Sequence, residues 1–192
     1  MSILLRTERL MLREFTMADL EVLVELDSDP QVMHFITNGV PTPREEMRDE
    51  VLPAFLDYYR HTPGFGFWAA ESTKTGDFMG WFHLRPEPGA SPTEPELGYR
   101  LAQRYWGLGL ATEGSRALIS HAFSFPHIER VIANTMAVHV ASRKVMENSG
   151  MRLVRTLQAD WPVHIPGDEQ GDVQYAITRA QWLALKDTAS WM

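Results

Sequence analysis

At 192 residues and 44% hydrophobic, the chain can bury one substantial core, so a single domain over 1–192 is expected. A formal net charge of −7 without any basic cluster argues against nucleic acid as a partner; beyond ordinary solubility, it leaves room for a cationic acceptor. With no cysteine there is no disulfide, thiolate metal site or cysteine acyl-enzyme; no metal is expected, and no stretch approaches the roughly 20 apolar residues of a membrane helix, which suggests a soluble cytoplasmic protein.

Residues near 7 to 14 alternate as a strand, and Thr16 with Asp19 caps a helix running to about Asp27, before Asp29 and Pro30 end it. Thr42-Pro43-Arg44-Glu45 reads as a second helix start, with Thr42 as N-cap and proline at the first helical position; that helix should reach about Arg60. Phe67 to Glu71 and Phe78 to Leu84 form a hairpin around the turn residues 73–77, and Arg85 to Pro95 is a loop rich in Pro and Gly. Glu96 to Leu101 is a short strand, after which Leu110, Ala111, Ala117, Leu118 and Ala122 fall at helical spacing. Arg130 to Met136 is another strand, and Ala141 to Ser149 a helix stopped by Gly150, with Val145 and Met146 in the core. Met151 to Thr156 and Val173 to Thr178 pair antiparallel, Trp161 to Gly171 is the loop between them, and Thr178-Arg179-Ala180-Gln181 caps a last helix.

The run Arg104-Tyr105-Trp106-Gly107-Leu108-Gly109-Leu110-Ala111-Thr112-Glu113 puts two glycines at this strand-to-helix junction. Glycine adopts positive φ and lets backbone approach a ligand closely, while the first amides of the following helix lack partners. Such a turn is a cradle for an anion, a pyrophosphate above all; the alternative is a glycine-rich turn that holds nothing.

Around this run the chain resembles the GNAT acetyltransferase superfamily, whose pyrophosphate signature for acetyl-CoA is Gln/Arg-x-x-Gly-x-Gly/Ala after a strand. Thr7 to Arg13, Gly80-Trp81, Gly98-Tyr99, Trp106-Gly107, Ala111-Thr112-Glu113, Ala141 to Met151 and Tyr175 to Thr178 followed by Trp182 are similar, in order, to the ribosomal-protein alanine N-acetyltransferase subgroup. The resemblance implies an α+β (three-layer) fold: a curved, mixed, mostly antiparallel sheet with splayed central strands, flanked by helices. It also implies acetyl-CoA as co-substrate, no metal, direct attack in a ternary complex, and a primary amine as acceptor, with a protein or peptide α-amine leading. Small amines such as aminoglycosides, polyamines or amino acids stay open, as do a non-catalytic acyl-CoA-binding module and a scaffold with an empty cradle. Homodimers are common among such proteins.

Residue by residue, the resemblance assigns the pantetheine and thioester carbonyl to backbone of Tyr99, Arg100 and Leu101. The pyrophosphate falls to Arg104, Tyr105, Trp106, Gly107, Leu108, Gly109, Leu110, Ala111 and Thr112. Glu96 matches an acidic position used as a base, through water, or is an exposed strand-end carboxylate; His83 is the alternative base, or a hydrogen-bonded structural histidine. Ser142 matches the serine near the sulfur, or it is a helix-start residue bonding backbone. The family asparagine three residues before it is replaced here by His139, which can still donate a hydrogen bond. Arg143 and Lys144 either meet the 3′-phosphate or are solvated helix-face cations. Acceptor choice is expected from the helix after Thr42 and the loops after Phe82 and from Trp161 to Gly171, with Trp81, Tyr105 and Trp161 either lining a slot or in the core.

Overall fold

The computed structural model describes residues 2–86, 89–158, 163–188 and 191. They group into two compact units, Met1–His83 with Tyr99–Leu110, and Leu84–Gly98 with Ala111–Met192.

The first unit opens with β1 (Ile3–Arg6) and β2 (Leu10–Arg13), antiparallel, with Leu5 opposite Leu12. The single strand expected over 7 to 14 is therefore a hairpin arm with a partner before it. The reason is local: Thr7 turns the chain, its amide donating to the Leu10 carbonyl at 2.8 Å and its hydroxyl accepting the Leu10 amide at 3.0 Å. β2 pairs with β3 (Gly66–Ser72) antiparallel, Leu10 opposite Ser72 and Arg13 opposite Ala69, and β4 (Phe78–Arg85) and β5 (Glu96–Leu101) follow in order.

Thr16 and Asp19 form the expected capping box, leading through a 3-10 turn into α1 (Leu20–Ser28). Asp29 and Pro30 do end α1, but they also start α2 (Pro30–Thr37), which sequence reading missed. Asp29 accepts the Gln31 amide at 2.9 Å and Pro30 needs no amide partner in the first turn, so one dipeptide serves both roles. The next helix begins as α3 (Arg44–Glu46), passes through a π-helical stretch at Met47–Val51 and continues as α4 (Leu52–His61). Its N-cap is Pro43, not Thr42. The Thr42 hydroxyl instead donates to Asp27 at 2.8 Å, a carboxylate only 2% exposed.

α1 and α4 bury Leu20, Leu23, Leu52 and Phe55 against Phe15, Met47 and Ala69. Phe55 stacks on Phe67 with ring centroids 3.8 Å apart. Beneath this core Arg13 is buried: it donates to both Asp19 oxygens at 2.7 and 3.0 Å and to Glu71 at 2.7 Å. Burial alone would raise the Asp19 carboxyl, yet hydrogen bonds from Arg13 and the Thr16 amide outweigh it and hold the group below its usual range.

In the second unit the strand order is β5, β6 (Arg130–Met136), β8 (Asp172–Thr178), β7 (Arg152–Leu157). β8 pairs antiparallel with both neighbours and is buried from Asp172 to Ile177, as an interior strand requires. β5 lies parallel to β6, and their ladder among the described residues is Glu96 opposite Ile132. Helices α5 (Leu110–Ser124), α6 (Val140–Asn148) and α7 (Arg179–Leu185) complete the chain. α6 ends at Asn148, just before Gly150, whose φ of 79° and amide bond to the Glu147 carbonyl at 3.0 Å form the expected glycine stop. Thr178 and Gln181 form the second expected capping box, and Arg179 joins α7 to the end of α5 through the Phe123 and Ile128 carbonyls. Within the loop expected from Trp161 to Gly171, Asp168–Gln170 make a 3-10 turn, and Trp161 lies outside the described residues. No helix among the described residues is long and apolar enough to cross a membrane.

Asp19 contributes stability that is present above its unfolded value of about 3.9 and lost as pH falls through its lower folded value. Removing it also leaves Arg13 buried against one fewer carboxylate. Asp19→Asn should therefore cost about 3–5 kcal/mol at pH 7 in denaturant unfolding. The variant should also lose less further stability than wild type as pH falls below about 4.

Candidate active site

β5 ends at Leu101, and the chain continues through Ala102, a 3-10 turn at Gln103–Tyr105 and the exposed residues Trp106 to Gly109 before α5 begins at buried Leu110. Three bonds fix this path: the Ala102 amide to the Met79 carbonyl at 2.9 Å, the Trp106 indole to the Leu101 carbonyl at 2.7 Å, and Arg9 to the Leu108 carbonyl at 2.7 Å. Gly107 and Gly109 both have positive φ, 72° and 79°. A Cβ added at Gly107 would meet no atom within 4 Å, and one at Gly109 only the Arg9 guanidinium at 3.5 Å. The glycines are thus needed for conformation and leave open room beside the turn.

The strand leading in is held from below. Gly80 faces β5 so closely that an added Cβ would lie 2.1 Å from the Arg100 carbonyl oxygen and 2.7 Å from the Leu101 Cα. The Arg100 side chain turns to the buried Asp27 carboxylate and lies 5.0 Å from the Trp81 ring centre, so what it offers near Tyr99 and Leu101 is backbone. Tyr99 packs beside Phe82. Tyr105 lies under the Arg104 guanidinium at 5.0 Å. His83, the alternative base, is buried and stacked on Phe67 at 5.2 Å, with Trp81 edge-on.

In the second unit Glu96 opens β5. The Asn134 amide donates to its Oε1 at 2.9 Å, and Arg85 lies 3.8 Å from its Oε2. On α6, His139 is the N-cap residue; its amide donates to the Met136 carbonyl at 2.9 Å and its carbonyl accepts the Arg143 amide at 3.1 Å. Ser142 is buried one turn in, whereas Lys144 is exposed. Arg143 reaches the Ala137 carbonyl at 3.0 Å and the Tyr175 hydroxyl at 3.2 Å, contacts that brace α6 to β8. Ala111 and Thr112 sit half-buried in the first turn of α5.

Sequence reading missed Asp27, Arg85, Asn134 and Gln174. Asn134 and Gln174 had a usable signal, each being a polar residue among apolar neighbours (Ile132 and Ala133; Val173 and Tyr175), which implies a hydrogen-bond partner.

Among the described residues, then, a mixed, mostly antiparallel sheet is flanked by helices, and a turn with two positive-φ glycines leads into α5. Residues 9–152 match the family described as "Acetyltransferase (GNAT) domain". A protein of Aspergillus fumigatus named "FsC-acetyl coenzyme A-N(2)-transacetylase" is 34% identical over 180 residues, 91% of this chain and 72% of that one. Among solved structures, RimL, a ribosomal alpha-N-protein acetyltransferase in complex with coenzyme A, superposes with a TM-score of 0.74 at 21% identity, over 92% of this chain and 98% of that one. An aminoglycoside acetyltransferase in complex with coenzyme A gives 0.73 at 18% identity, over 93% and 99%. The chain belongs to the GNAT acetyltransferase family and is an N-acetyltransferase acting on amines.

The contact at Gly80 gives a direct test of how β4 supports β5. Gly80→Ala should lower stability by about 1–3 kcal/mol in denaturant unfolding, because neither backbone can yield without breaking the Ala102-to-Met79 bond.

Proposed function

We propose that this chain moves the acetyl group of acetyl-CoA directly onto a primary amine, with the α-amine of a protein or peptide as the leading acceptor. The observation that carries the reading is the Glu96 carboxylate, held by Asn134 at the start of the same strand that runs into the Gly107 and Gly109 turn. We take residues 1–192 to act as one catalytic domain, since each compact unit is built from two separate stretches of chain.

The open room at Gly107 suits a pyrophosphate, which the turn from Arg104 to Gly109 and the amides of Leu110, Ala111 and Thr112 would hold. Backbone of Tyr99, Arg100 and Leu101 would hold the pantetheine and polarise the carbonyl, with donors of this kind worth about 3 kcal/mol each. Ser142 would sit near the sulfur and His139 would donate in place of the family asparagine. Lys144, exposed on α6, is the better placed of the two cations for the 3′-phosphate, because Arg143 already binds Ala137 and Tyr175. The co-substrate supplies an activated acetyl thioester.

The chemistry left to the protein is to hold the amine and remove its proton. The amine lone pair forms the C–N bond as the C–S bond breaks; the ammonium proton passes through water to Glu96, and the departing thiolate accepts a hydrogen bond from Ser142 and is then protonated from solvent. An α-amine, with a free value of about 7.7–8.0, is already partly neutral near pH 7, whereas a lysine near 10.4 is not. A carboxylate base therefore matches an α-amine better than a lysine. A small-molecule acceptor is the second reading, favoured by the Aspergillus fumigatus relative, whose name specifies N(2) transfer.

Free thiol release, measured with N-terminal peptides, a polyamine, an aminoglycoside and free amino acids, separates these readings. Peptides should react fastest, and Glu96→Gln should lower kcat by about 10²–10⁴-fold while coenzyme A affinity is kept. Faster turnover of a small amine would move the acceptor to that class, and an unchanged kcat in Glu96→Gln would remove Glu96 as the base.

A further inference from the structure

Glu96 does not stand alone: a row of side chains crosses three strands to reach it. The β8 ladders set Gln174 opposite both Asn134 of β6 and Arg155 of β7. Asn134 lies two residues after Ile132, the residue opposite Glu96, and alternate residues of a strand share a face. Arg155, Gln174, Asn134 and Glu96 therefore fall in one transverse row. Their side chains are joined at each step: Arg155 Nε to Gln174 Oε1 at 3.0 Å, Gln174 Nε2 to Asn134 Oδ1 at 3.0 Å, and Asn134 Nδ2 to Glu96 Oε1 at 2.9 Å.

The polarity of this row is forced from its far end. A guanidinium can only donate, so Gln174 must turn its carbonyl to Arg155 and its amide group to Asn134. Asn134 must then accept with its carbonyl, which leaves its own amide group aimed at Glu96. Gln174 is only 5% exposed, so water is poorly placed to substitute for either neighbour. A β-bulge makes the first contact: the β7 register slips between Leu153 and Arg155, which puts Arg155 rather than Val154 opposite Gln174.

We propose that Arg155, Gln174 and Asn134 are positioning residues that orient the Glu96 carboxylate for proton removal, an inference that rests on the reading of Glu96 as the base. Arg155 acts from the exposed edge strand, two side chains away from the group it controls. Without it, Gln174 and Asn134 can rotate their amides and present an oxygen to Glu96, which drives the carboxylate away.

The test is a set of double-mutant cycles on kcat with the fastest amine of the panel, each variant also checked by thermal melt and coenzyme A affinity. Asn134→Ala should lower kcat about tenfold and Arg155→Met about threefold, with KM for acetyl-CoA unchanged, while Arg155→Lys restores most of the rate by supplying one donor. In the Glu96→Gln background neither Asn134→Ala nor Arg155→Met should lower kcat further, since the group they position is gone. Losses that persist in that background, or an unchanged kcat in Asn134→Ala, overturn the proposal while Glu96 stands as the base. An unchanged kcat in Glu96→Gln alone defeats the base assignment and the proposal with it. Should Asn134→Ala fail to fold, the exposed Arg155→Met and Arg155→Lys pair decides the matter by the same comparison.

Discussion

Between the end of β5 at Leu101 and the start of α5 at Leu110, the backbone passes through two residues of positive φ, a conformation that side chains other than glycine rarely adopt. Much of the candidate site depends on that constraint. Positive φ at Gly107 and Gly109 lets the chain turn from β5 into α5, and a Cβ added at Gly107 would meet no atom within 4 Å. The turn is tethered at both ends, by the Trp106 indole on Leu101 and by Arg9 on Leu108, so its shape exists before any ligand arrives. Preorganised amides bind an anion without the cost of ordering a loop.

Charge is handled the same way twice in the first unit: a buried carboxylate is tied to an arginine and also organises its neighbours. Arg13 holds Asp19, which closes the capping box with Thr16 just ahead of α1, and Arg100 holds Asp27, which draws Thr42 out of the role of helix cap. Removing one partner of such a pair costs more than the pair adds, because the remaining charge stays buried. The second of these pairs draws the Arg100 side chain to Asp27, so that what β5 offers between Tyr99 and Leu101 is backbone.

What the sequence made legible was whatever is decided locally. The two capping boxes, the Gly150 stop and the glycine turn each depend on a few neighbouring residues, and each is found where the residue pattern puts it. What escaped was decided by pairing at a distance or by dual use of one residue. Asp29 and Pro30 read as a stop and serve equally as a start; Thr42 reads as a cap until Asp27 is seen beside it. Glu96 meets Asn134 of β6 directly, and only strand register brings Gln174 of β8 and Arg155 of β7 into the same row. A single bulge at the edge of β7 selects which residue ends that row, and no local pattern announces it.

The central claim is that the turn around Gly107 and Gly109 is a working cradle for acetyl-CoA. Calorimetric titration of the purified chain with acetyl-CoA, alongside the Gly109→Val variant, tests it most directly. A dissociation constant between about 1 μM and 1 mM for wild type, lost in a variant that keeps its circular dichroism and melting temperature, is the predicted result. Equal affinity in the two proteins, or no binding by wild type at about 1 mM acetyl-CoA, would contradict the account.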